Sequence, residues 1–209
     1  PSPGAGASTV EVSLNGQQFS AYGATFLYAP AVVVSSVWPS QGVVEGGTAV
    51  TVYGGGFSSI AEANGALMCR FNSSVTAAVY VSESALVCTS SASAGGYVSV
   101  EVSTNGRDYS SSAVQYEFIA VTATAVSPWS GPASGGTIIA ISGSRLSAAD
   151  ALACRFRTTP PTADVAASAH GASSVRCVTS GGLTPGWTTI ELTSFGTTLR
   201  GGSVSFFVH

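Results

Sequence analysis

Short stretches of this chain alternate apolar and polar residues, and the same alternation returns along its length. In residues 97–103, Val98, Val100 and Val102 fall on one side, and Ser99, Glu101 and Ser103 on the other. Residues 187–193 repeat this, with Thr188, Ile190 and Leu192 opposite Thr189, Glu191 and Thr193. Near the start, Val10 and Val12 alternate with Glu11 and Ser13 before an Asn15-Gly16 turn. A period of two predicts β-strands with one apolar and one wet face, as an antiparallel sheet in a sandwich requires. Glu11, Glu101 and Glu191 are thereby expected to point outward at equivalent positions. Each stretch is followed by a second alternating segment that reads as a closing strand. These carry Phe26 and Tyr28, then Val114, Tyr116 and Phe118, then Val204, Phe206 and Val208.

The recurrence has a period of about 90 residues, long enough for one domain per copy. The openings of two copies match as well. Residues 34–57 read VSSVWPSQGVVEGGTAVTVYGGGF, and residues 125–146 read AVSPWSGPASGGTIIAISGSRL. Pro39 and Pro128 end the first strand of each copy, where a missing N–H is tolerated. Gly46-Gly47 and Gly135-Gly136 supply the turn before an apolar strand, because glycine accepts positive φ without steric cost. About seven short strands per copy is the pattern of an immunoglobulin-like sandwich.

Two domains are therefore expected, at 30–119 and 120–209. Residues 1–29 are expected to be the last two strands of a preceding, truncated copy. Such a hairpin is marginal in water by itself. The alternative is that it completes a sheet on a neighbouring subunit by strand addition. No flexible linker separates the copies, since the strand ending near Phe118 runs through IAVTATAV into the next opening. Modules so joined are expected to stack end to end as a stiff rod.

Composition narrows the class further. The chain is 45% hydrophobic but only 8% charged, with a net charge of −3. Its seven basic residues are all arginine. They are scattered among more acids, which argues against a phosphate-binding track for nucleic acid. No apolar run is long enough to span a membrane, and residues 1–7 lack the regions of a signal peptide. Catalysis is not expected. The two histidines, His170 and His209, stand beside no candidate nucleophile and acid, and the acids are dispersed. No calcium loop appears, and the glycines at 54–56 lack the lysine and helix of a phosphate loop. No cofactor or metal site is expected.

These openings and strands resemble the IPT/TIG family, the immunoglobulin-like module shared by plexins, related receptors and some transcription factors. The resemblance rests on SPWSGPASGGT at Ser127 to Thr137 and on a glycine-plus-apolar motif at Gly54 to Phe57 and Gly143 to Leu146. It rests also on the Cys-Arg-Phe triplets at Cys69 to Phe71 and Cys154 to Phe156, and on the late VSVEVSTNGRDYSSSAVQYEF. It covers nearly the whole chain. The first opening departs from it, because WPSQGVVEGGT lacks the second proline. The resemblance implies an all-β fold of tandem early-set sandwiches and implies no activity.

Each copy holds one cysteine pair, Cys69 with Cys88 and Cys154 with Cys177. A pair that recurs per copy reads as an intradomain disulfide, and such a bridge is usual in the family's extracellular members. The alternative is two buried free thiols. Zinc would need ligands from separate modules. Disulfides imply an oxidising compartment, so the protein is expected at the cell surface or outside it. Asn72-Ser73-Ser74 is an N-glycosylation sequon, and Thr158, Thr159 and Thr162 lie in a Ser/Thr/Pro stretch of O-glycosylated character. Trp38, Trp129 and Trp187 are the candidate interface aromatics, expected to pack where stacked modules meet or to anchor a ligand or fibre contact.

Together these point to a structural or adhesive repeat of an extracellular glycoprotein, in a surface filament, wall or matrix fibre. Its expected partners are neighbouring repeats, further copies of itself and attached glycans. Two other readings stay open: the stalk of a plexin-like receptor, and an accessory module of a secreted carbohydrate-active enzyme.

Overall fold

The computed structural model describes residues 6–28, 30–146, 149, 151–157, 163–171 and 173–209. Two β-sandwiches follow an N-terminal hairpin. In the hairpin, β1 (Gly6–Val10) pairs antiparallel with β2 (Ala24–Tyr28). Between them Asn15 accepts the backbone N–H groups of Gln17 and Gln18 on its side-chain oxygen, at 2.9 and 3.0 Å. Asn105 does the same for Arg107 and Asp108 in the first sandwich, so one turn chemistry serves both copies. The burial differs completely. Val100, Val102 and Tyr116 are fully buried, whereas their hairpin counterparts Val10, Val12 and Phe26 are 48%, 67% and 52% exposed.

The first sandwich contains β3 (Val33–Trp38), β4 (Gln41–Val43), β5 (Ala49–Gly55), a single helical turn α1 (Ser59–Ala63), β6 (Met68–Phe71), β7 (Ser74–Ser82), β8 (Ala85–Thr89), β9 (Gly96–Ser103) and β10 (Val114–Ile119). Its ladder runs β3-β5-β8-β7-β6-β9-β10-β4. Strand β7 joins the two layers, pairing with β6 through Ser74–Ala77 and with β8 from Ala78 onward. Between the layers lies a core of Val50, Val52, Leu86, Val100, Val102 and the aromatic trio Phe71, Tyr116 and Phe118. The trio meets edge to face, with centroids 5.0 to 6.2 Å apart. The helix was not legible in the sequence, because five residues carry too little periodicity to register.

The second sandwich repeats the plan with β11 (Thr122–Ser127), β12 (Ser130–Gly131), β13 (Ile138–Ser144), β14 (Leu152–Phe156), β15 (Val165–Ala166), β16 (Ser168–Ala169), β17 (Ser174–Val178), β18 (Gly186–Ser194) and β19 (Thr197–Val208). Here the layer-crossing strand is split, β15 pairing with β14 and β16 with β17. In both sandwiches the short second piece of the opening strand lies parallel to the closing strand, β4 beside β10 and β12 beside β19.

The glycine-plus-apolar motif has a steric reason. A Cβ on Gly54 would sit 1.9 Å from the Val33 carbonyl oxygen, and one on Gly143 would sit 1.8 Å from that of Thr122. Both glycines lie where the opening pair of strands shifts register, so the backbones meet too closely for any side chain. Phe57 and Leu146, the apolar ends of the motif, are buried beneath.

The expected wet face is only partly wet. Glu101 is 6% exposed and accepts hydrogen bonds from the Ser110 hydroxyl and from the backbone N–H groups of Ser112 and Ala113, at 3.1 and 2.8 Å. The segment leading into β10 folds back over β9, and its N–H groups need the acceptor that the carboxylate provides. Glu191 is partly buried and pairs with the exposed Arg157 at 2.7 Å.

The two sandwiches share buried residues at their junction. Val43 and Ile119 of the first, together with Val121 of the connection, pack into the core cluster of the second, which includes Leu199. The Arg200 backbone N–H donates to Glu45 at 2.9 Å, and Arg145 forms an ion pair with Glu117. Replacing Val43 and Val121 by alanine is expected to destabilise the second module by about 1–2 kcal/mol per site. It should also weaken the coupling between the two modules, which differential scanning calorimetry would read as a wider separation of their unfolding transitions.

Candidate functional site

The cysteines tie the layers together. Cys69 on β6 is bonded to Cys88 on β8, and Cys154 on β14 to Cys177 on β17. In each sandwich the bridge joins strands from opposite sheets, and all four residues are buried. No free cysteine is present among the described residues.

The tryptophans are not buried between the two described sandwiches. Trp38, Trp129 and Trp187 are 70%, 59% and 68% exposed, and the junction is built from smaller aliphatic residues and ion pairs. Trp38 is exposed at the end of β3. The other two come together through strand pairing. In the ladder between β18 and β19, Trp187 lies opposite Phe207, and Phe207 also pairs with Ser130, next to Trp129. The result is an aromatic cluster on the outer face of the second module. The Trp129 and Trp187 rings stack at 6.1 Å with 28° between planes, and Phe207 meets the Trp187 ring edge-on at 5.4 Å. Phe207 was not singled out from the sequence. The alternation put it on the outer face, but only the register brings it between two tryptophans 58 residues apart (187 − 129).

Arg145, Arg155 and Arg157 are engaged in ion pairs. Arg155 donates to both Asp164 carboxylate oxygens from Nε and Nη2, at 2.7 and 2.9 Å, and the Thr193 hydroxyl adds a third hydrogen bond at 3.0 Å. The Arg155 hydrogen bond, reinforced by that of Thr193 and by the positive charge, holds the Asp164 carboxyl below the usual carboxylate range. Arg70, at the equivalent position of the first module, lies 4.2 Å over the Tyr109 ring instead. Because folding lowers the Asp164 pKa, its stabilisation is present above the ordinary carboxylate pKa of about 4 and is lost as pH falls below it. Asp164→Asn should lower second-module stability at pH 7 by about 0.5 kcal/mol or less, since the pair is partly solvated. It should also flatten acid unfolding between about pH 4 and 2. Urea melts at several pH values measure both.

Asn72 is exposed in the turn between β6 and β7, where its sequon is open to solvent. Thr158, Thr159 and Thr162 lie outside the described residues. His170 is exposed in the loop before β17, and His209 is exposed at the end of β19. Among the described residues no three His, Cys, Asp or Glu side chains converge on a point where a metal could bind. Among the described residues no helix is long and apolar enough to cross a membrane.

A model of the IPT/TIG domain matches residues 32–118 and 122–207. Among solved structures, the plexin A4 extracellular region comprising domains 1 to 10 is similar over 100% of this chain, with a TM-score of 0.64 and 16% sequence identity. A second plexin A4 structure, with domains 1 to 8, matches 84% of this chain at a TM-score of 0.61 and 20% identity. The likeness at such identities is one of fold. This chain covers 19% and 18% of those two plexin chains.

Proposed function

The chain belongs to the IPT/TIG family, two of its domains in tandem, and from that premise we propose that it acts as a non-catalytic structural or adhesive repeat of an extracellular protein, in a surface filament, wall or matrix fibre. The junction carries this reading. Val43, Ile119 and Val121 bury themselves in the neighbouring core, so the modules are held at one angle rather than strung on a tether. A fixed angle between repeats transmits position and load, which is useful in a fibre and unnecessary in an independent binding domain. The disulfides support an oxidising environment. With only 8% charged residues, glycans on Asn72 and on Thr158, Thr159 and Thr162 would help keep strand edges soluble.

In this reading residues 1–29 are the closing hairpin of another sandwich. Val10, Val12 and Phe26 repeat residues that are buried in the first module, and the remaining strands of a sandwich would cover them. The fold likeness to a plexin ectodomain favours a second reading, in which the modules form a receptor stalk.

Negative-stain microscopy of the native material, with intact-mass and glycan mass spectrometry, decides between them. Long periodic fibres are expected. Dispersed particles whose polypeptide also carries a membrane anchor and cytoplasmic domain would establish the stalk instead.

A further inference from the structure

We propose that the outer face of the second module binds a neutral glycan chain, stacking sugar rings on Trp129 and Trp187. The inference is independent of whether the module serves a fibre or a stalk.

A groove of about 650 Å³ runs from the two tryptophans across β11, β18 and β19. Beyond the indoles its polar lining is hydroxyl: Thr124, Thr189, Ser203 and Ser205. None of the described residues that line it is charged. A pyranose has the complementary chemistry. Its C–H face is apolar and suits an indole face, while its rim of hydroxyls exchanges hydrogen bonds with serine and threonine. The absence of charge in the lining matches a neutral sugar. A uronate or sulfate ester would lose its hydration there without gaining a cation. Nucleic acid, the other stacking ligand, would need unpaired arginines beside the rings; Arg155 and Arg157 are already bound to Asp164 and Glu191.

The aromatic face is also prepared for a ligand. The Trp129, Trp187 and Phe207 rings hold one another at 5.4 to 6.2 Å, so little side-chain freedom remains to be lost on binding. Sandwich architecture does not demand them. The equivalent positions of the first module carry Ser40, Tyr97 and Glu117, and that module has the same fold. At the first module's end Glu117 meets the next module through Arg145, so stacking there proceeds without an aromatic at that position.

The test uses the full chain on a microarray of neutral oligosaccharides, with polygalacturonate and sulfated glycans as charged probes. Native gels containing hydroxyethylcellulose or galactomannan serve as the solution measurement. Wild-type protein is expected to bind neutral glycans and to be retarded in at least one neutral gel. Trp129→Ala with Trp187→Ala should weaken binding about tenfold or more, Trp187→Phe less, and Trp38→Ala not at all. All are surface changes, so unchanged melting curves will certify folding. Binding to no neutral glycan, binding confined to charged glycans, or equal loss in Trp38→Ala would overturn the proposal. So would self-association that the double variant abolishes in the absence of any glycan binding, which would make the face a protein contact.

Discussion

Replacing Phe71 by alanine is expected to destabilise the first module by about 3–5 kcal/mol, the range for removing a large aromatic from a packed core. Phe71 is 2% exposed and touches both Tyr116 and Phe118. It lies on β6, and its two partners on β10, so the contact ties strands that are not ladder neighbours. The hole would be lined by backbone-anchored strands that cannot collapse into it, which places the cost toward the upper part of the range. Chemical denaturation followed by aromatic fluorescence should show the loss confined to the first of two transitions. A loss below about 1 kcal/mol would mean that the core is loosely packed, and the sandwich assignment would need revision.

Removal of the Cys69–Cys88 bridge, by alanine at both positions, is the second large effect. The bridge closes a loop of 19 residues, and that of Cys154–Cys177 closes one of 23. Loop-closure entropy alone assigns about 3 kcal/mol to each, because the cross-link restricts the unfolded chain. Both cysteines are buried, so the alanine pair also leaves a small void. A module of this size has a stability of the same order, and unfolding near physiological temperature is expected. Calorimetry of the two double variants, against wild type with and without reductant, separates the modules. Unchanged melting after reduction would show that the bridges are dispensable.

The strands were legible because period-two alternation is written directly in residues such as Val98, Val100 and Val102, and the third-copy match of Ile190 and Leu192 removed ambiguity. The cysteine pairing followed from one pair per repeat. What escaped was whatever depends on a neighbour far along the chain. Glu101 looked outward by alternation, and it does leave the core face; a loop eleven or twelve residues later then covers it. Val43 looked like part of the first module's opening, yet it packs in the core of the next, and no local pattern distinguishes those fates. Trp129, Trp187 and Phe207 likewise became a cluster only through two strand registers that alternation alone does not set. The tryptophans were expected either to pack where modules meet or to anchor a ligand or fibre contact; they are exposed, and the junction between the two sandwiches is aliphatic.

The parallel pairing of each module's first and last strands has a mechanical consequence. Gln41, Gly42 and Val43 lie beside Glu117, Phe118 and Ile119, and Ser130 and Gly131 beside Phe207 and Val208. Pulling the chain from its two ends drives these strands past one another lengthwise. The hydrogen bonds between them are then strained simultaneously, instead of tearing in succession as they would in a hairpin pulled open from its tip. Each bead thus acts as a clamp whose rupture rate, rather than its equilibrium stability, sets the tension the string withstands.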